Sequence, residues 1–213
     1  MAIKAKRLHH RPHVPSLQED NARTGFFELD QLAALLRHLP DYVRGPVVFA
    51  SITGWRKQEV LGLEWSRINF RDGTVRLDPA QSKNRKGRVF PFTPELRHLL
   101  EQQRRVTNDL QQELGRITPF VFHRKGERLR SFTKSWARAC AAAGVPGRLF
   151  HDLRRSAVRA MEQSGVPRSV AMDLIGHRTE SIYRRYTITD ERMLKEGVAK
   201  LAAVQGHAPR EVG

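Results

Sequence analysis

A chain of 213 residues with 39% hydrophobic content is long enough to bury a core. Its 38 lysines and arginines stand against 22 acidic residues, a formal charge of +16 that points to a polyanionic partner, nucleic acid ahead of an anionic membrane. The single cysteine, Cys140, excludes an intramolecular disulfide, no apolar run nears the ~20 residues of a membrane span, and the basic start lacks a signal peptide's apolar stretch, so the cytoplasm is the expected compartment.

Residues 1–25 are polar and rich in histidine and proline, and read as a linker or tail. His9, His10 and His13 lack the companions a metal site needs. From Phe26 the chain reads as packed. Leu29, Leu32, Leu35, Leu36 and Leu39 recur at helical spacing until Pro40. Val43 to Ile52 predicts a mostly buried second helix, Thr53-Gly54 breaks it, and Arg56 to Leu63 resumes helical character.

Ile68 to Phe70, an Arg71-Asp72-Gly73 turn and Thr74 to Leu77 predict a hairpin. Arg88 to Phe92 predicts a third strand, placed at an edge by Pro91. The loop between holds Lys83, Asn84, Arg85, Lys86 and Gly87. Pro94 fits the first turn of a long helix capped by Thr93 and ending near Gly115. Further helices are expected over 131–143, 150–164, 167–175 and 190–204. The fold class is mainly α (α+β), many helices with a small three-stranded antiparallel sheet.

The groups able to do chemistry concentrate late in the chain. His151 and Arg154 are three apart and share a helix face, one offering a proton-transfer group and the other a guanidinium that fits phosphate bidentately. A surface helix in an arginine-rich protein would look the same. Arg56 follows a glycine break at a helix start, where a cation opposes the dipole; it either faces a specific anion or snorkels to solvent. Glu59, three residues on, is placed to pair with it. Lys83 sits where a flexible ammonium can protonate a leaving oxygen. Arg85, Lys86, Arg88 and Arg155 are expected to touch a nucleic-acid backbone. His177 follows Gly176, and Tyr183 and Tyr186 stand three apart; packing accounts for any one of these. A tyrosine nucleophile needs help, since a phenol titrates near about 10, and neighbouring arginines supply it electrostatically.

Taken in order, Thr53 to Trp65, the loop around Lys83, His151 to Arg155 and Leu174 to Tyr186 resemble the catalytic domain of the tyrosine recombinases, the phage integrase family. The likeness runs from about Phe26 to the last helix. It implies that Arg56 and Arg154 clamp the scissile phosphate and that Lys83 protonates the departing 5′ oxygen. It implies that His151 moves the proton at the nucleophile, that His177 bonds the phosphate, and that Glu59 supports the set. It selects Tyr186, nine residues after His177, as the nucleophile that forms a 3′-phosphotyrosine. No cofactor and no metal are implied, because the covalent bond conserves the energy of the broken one.

The resemblance also implies domains: a 1–25 linker, a 26–189 catalytic domain, and a 190–213 helix and tail that docks on a neighbouring protomer. The implied partners are double-stranded DNA and further copies of the chain in a tetrameric synapse, with no membrane. A bacterial or phage origin, within a mobile element and at the nucleoid, is implied too. Family members normally carry a helical core-binding domain ahead of the catalytic one, so this chain alone is expected to bind DNA weakly and recombine poorly. A silent or truncated fragment that only binds DNA is the alternative. A type IB topoisomerase fits the Gly176-His177 segment less well, and an RNA-binding module lacks aromatic stacking motifs.

Overall fold

The leucine spacing that opens the packed region produces a helix, α1 (Leu29–His38), in a computed structural model that describes residues 25–79, 87–177, 179–184, 186 and 191–205. Leu35 is fully buried, yet Leu29 in the first turn is exposed rather than packed. The second helix, α2 (Asp41–Thr53), ends where Gly54 takes a left-handed φ of 65°. α3 (Lys57–Leu61) is shorter than expected, and a 3-10 turn at Trp65–Arg67 leads into the sheet.

The three-stranded sheet has the order β1 (Ile68–Asn69), β2 (Thr74–Leu77), β3 (Arg88–Pro91), antiparallel throughout. Val75 pairs with Ile68 on one side and Phe90 on the other. Pro91 has no N–H to give a ladder, and β3 is an edge, where that loss is tolerated. The β2–β3 link with Lys83, Arg85 and Lys86 lies outside the described residues, as does the 1–24 segment.

Thr93 caps α4 (Pro94–Leu114) by accepting from Leu96 N, and Gly115 closes it with φ 62°. A two-stranded hairpin follows that the sequence reading did not foresee: β4 (His123–Arg124) and β5 (Glu127–Arg128), joined by Lys125 and Gly126, both at positive φ. The remaining helices are α5 (Thr133–Ala142), α6 (Asp152–Gln163), α7 (Arg168–Ile175), α8 (Glu180–Arg184) and α9 (Glu191–Gln205).

α2 is the hub. It packs on α6, α4 and α3, while α7 wedges between α6 and β3, and α1 lies on α5. Phe49 of α2 meets Trp55 and Phe122 edge-on at 5.5 and 5.6 Å. Leu153 and Val158 fill the α6 side with no exposure. A core leucine cut to alanine costs about 2–5 kcal/mol, so Leu153→Ala would loosen the helix that carries the candidate site. Among the described residues no helix is long and apolar enough to cross a membrane.

Candidate active site

Four chain breaks deliver the site. The Gly54 turn ends α2, with the Gly54 N–H donating to Ala50 O, and releases Trp55 into the core and Arg56 to the N-cap of α3. Glu59, one turn on, accepts from the Arg56 backbone N–H at 2.8 Å and from Arg56 Nη1 at 3.0 Å. The carboxylate cancels the mismatch between a cation and a helix start, and it fixes the guanidinium. Glu59 is 6% exposed.

The second break precedes α6. Asp152 Oδ2 accepts from Leu149 N at 2.8 Å, and the chain turns so that His151 becomes the N-cap. Arg154 follows as a buried residue, 2% exposed, pointing back at the first turn. Its Nη1 donates to Gly54 O at 2.7 Å, across 100 residues of sequence, and its Nε donates to His177 Nε2 at 3.1 Å. Both of those acceptors are neutral. Arg154 Nη2 is buried and has no acceptor among the described residues. Burial first, and Arg56 second, lower the Arg154 pKa to about 9. A phenolate at Tyr186 acts in the opposite sense and favours the charged guanidinium.

The third break is Gly176, left-handed at φ 81°, which caps α7 and turns out His177. Burial, with Arg154 and then Arg56 behind it, pushes the His177 pKa down to about 3. The ring is therefore neutral near neutral pH. Because Nε2 accepts from Arg154, its proton resides on Nδ1. That Nδ1 is a buried donor with no acceptor among the described residues.

The fourth break ends α8. Tyr186 N donates to Tyr183 O at 2.8 Å, and the two rings part. Tyr183 is fully buried, and desolvation, with Glu162 beside it, raises its pKa to about 12. Tyr186 is half-buried. Its hydroxyl lies 2.8 Å from His151 Nε2, and its ring rests 4.6 Å from the His177 ring. Arg154 and Arg155 sit over its face at 5.7 and 5.4 Å. Burial, then Arg154, lowers the His151 pKa, which favours the neutral imidazole that can take a phenolic proton.

The structure therefore brings together Arg56, Glu59, His151, Arg154, His177 and Tyr186, drawn from both halves of the chain. Lys83, Arg85 and Lys86 lie outside the described residues. Arg88 and Arg155, both expected on a DNA backbone, turn inward in the DNA-free protein. The Arg88 side chain is 6% exposed, ion-paired with Glu59 and laid over the Trp55 ring at 4.8 Å. Arg155 is 8% exposed and lies over Tyr186. In each case a guanidinium has found an anion or an aromatic face inside the fold, which repays part of its desolvation. The signal that could have found Arg88 is Pro91. An edge strand whose alternation turns Phe90 inward and leaves Val89 46% exposed sets Arg88 across from Val89.

The chain matches the Phage integrase family over residues 25–193. It is 24% identical over 215 residues to the integrase of Salmonella phage P22, covering 94% of this chain and 53% of that protein. It is 30% identical to the tyrosine recombinase XerC of Bifidobacterium longum, over 67% of this chain and 42% of the relative. The chain thus spans about half the length, or less, of these relatives. The same fold occurs in the XerA recombinase, with TM-score 0.65 and 19% identity over 94% of this chain and 68% of that one. It occurs also in the catalytic domain of bacteriophage HP1 integrase, with TM-score 0.59 and 20% identity over 83% of this chain and 95% of that domain.

Proposed function

This chain belongs to the phage integrase family, and from that premise we propose that it is a site-specific tyrosine recombinase which cuts and rejoins DNA through Tyr186. The carrying observation is the Tyr186 hydroxyl held 2.8 Å from His151 Nε2 beneath two guanidiniums. A phenol, a neutral imidazole and fixed cations are the parts of a metal-free phosphoryl transfer.

His151 takes the Tyr186 proton as the phenolic oxygen attacks phosphorus. The P–O5′ bond breaks, leaving a 3′-phosphotyrosine and a 5′ hydroxyl whose proton comes from Lys83. Arg56, Arg154 Nη2 and His177 Nδ1–H hold the non-bridging oxygens; the last two are the buried donors without acceptors described above. Attack by a 5′ hydroxyl from another strand reverses every step and reseals the backbone. Residues 26–189 are the catalytic domain in this reading, and α9 with the tail is an arm toward a neighbouring copy on DNA. Support comes from relatives solved as a lambda integrase dimer on a core site and a tetramer on a Holliday junction. The work is done at bacterial or phage DNA in the cytoplasm, and integration, excision and resolution share this chemistry.

The test is a nicked suicide duplex whose broken end diffuses away and traps the covalent adduct. A pool with a randomised core removes the need to know the target. Wild type gives an adduct stable on a denaturing gel, Tyr183→Phe retains it, and Tyr186→Phe loses it. Salt-sensitive DNA binding without any adduct would instead favour a protein that only binds DNA.

A further inference from the structure

We propose that Arg88 is a positioning residue that ties the Glu59 carboxylate and the Gly176-His177 turn to strand β3, so that Arg56 and His177 are aligned by one buried side chain. The inference rests on the strand-transfer reading of the site and gives it a structural condition.

Glu59 is shared. Its Oε1 takes Arg56 Nη1, while Oε2 takes both the Arg56 backbone N–H and Arg88 Nη2. Without Arg88 the carboxylate is held by Arg56 alone, through its backbone N–H and Nη1, and the Arg56–Glu59 pair loses its anchor on strand β3. The other side of Arg88 runs against Gly176. A side chain there would collide with Arg88 Nη1, and the φ of 81° disfavours one in any case. Gly176 immediately precedes His177, so the guanidinium backs the turn that aims this imidazole. Trp55, beneath the planar group at 4.8 Å, immediately precedes Arg56. One side chain thus touches the neighbours of Arg56 and of His177 at once.

Burial lowers the Arg88 pKa, with Glu59 opposing and Arg56 adding to the fall. A buried cation so placed is a costly way to hold a fold. It serves better as a geometric tie, because a planar fork fixes direction as a lysine ammonium cannot. β3 is also the strand into which the Lys83 loop feeds.

Wild type, Arg88→Met, Arg88→Lys, Glu59→Gln and the pair Glu59→Gln with Arg88→Met are compared as full chains. The DNA is a nicked duplex recovered from the randomised pool by covalent capture. Arg88→Met is expected to slow single-turnover adduct formation about 100-fold, the scale of a small misplacement of reacting groups, with duplex affinity almost unchanged. Arg88→Lys restores part of the rate. The double variant loses less than the sum of the two single losses, because Arg88 acts through the Glu59 carboxylate. In DNA-free protein, ¹⁵N spectra show the Arg56 Nε–H and His177 ring signals moving in Arg88→Met. An unchanged rate, additive losses, or a fall in affinity that accounts for the whole effect overturns the proposal. If wild type forms no adduct, the strand-transfer reading fails by itself, and unmoved Arg56 and His177 signals would still refute the tie. The lysine variant and the charge-free pair keep the test decisive should Arg88→Met fold poorly.

Discussion

His151 Nε2 and the Tyr186 hydroxyl meet at 2.8 Å although 35 residues separate them. With burial and Arg154 holding the imidazole below its ordinary 6.5, the base form persists into mildly acidic solution. The rate of adduct formation should be flat through neutrality and fall only below that ordinary value. His151→Gln should cut the rate by about 100-fold or more and remove the acid limb, as single-turnover rates across pH will check.

Arg154 suits an anion because its Nη2 is buried without an acceptor among the described residues while Arg56 crowds it. Inorganic sulfate should therefore stabilise the DNA-free protein saturably, by about 2.7 kcal/mol at a hundredfold excess over its Kd. Arg154→Met should retain only the general salting effect. Denaturant melts of both proteins over a sulfate series measure the difference; parallel curves would remove the anion site.

The His177 pKa, about 3 against an ordinary 6.5, sets a stability slope. Between those values the unfolded chain binds a proton that the folded chain refuses, so stability falls as pH drops through 6.5 toward 3. The contribution approaches about 1.4 kcal/mol per pH unit. His177→Gln should flatten the curve by that amount from pH 6.5 downward. Chemical denaturation at stepped pH reads it directly.

Cys140 is 1% exposed and burial raises its pKa to about 11. The native thiol should be inert to an aromatic disulfide reagent at mildly alkaline pH, reacting only as fast as the α5 region opens. Prompt, stoichiometric labelling of folded protein would contradict the packing of α5.

Helices were legible wherever apolar spacing and a cap coincided, as at Thr93 and Gly115, because both signals are local. The β4–β5 hairpin was not. Its two-residue strands carry His123, Arg124, Glu127 and Arg128, with no alternation to read. Lys125-Gly126 was its one turn signal. His123 is buried there against Thr107, a partner that no local pattern announces. Motif order picked out Arg56, His151, Arg154, His177 and Tyr186, since spacing survives where individual residues look ordinary. The inward turn of Arg88 and Arg155 was not legible, for a common reason. Charge in a basic chain suggests solvent, and the anion and the rings that draw these two inward come from elsewhere in the sequence.

The hydroxyl that meets His151 hangs from the core by a single turn of chain. Tyr183 is fully buried, and its carbonyl holds the Tyr186 N–H. The reach of the nucleophile is thus measured from a fixed peg. Inserting or deleting one residue between the two tyrosines would break the bond from Tyr186 N–H to Tyr183 O and carry the phenol away from the imidazole, while leaving the peg seated. Length between these two rings is therefore under tighter constraint than the identity of the residues that fill it.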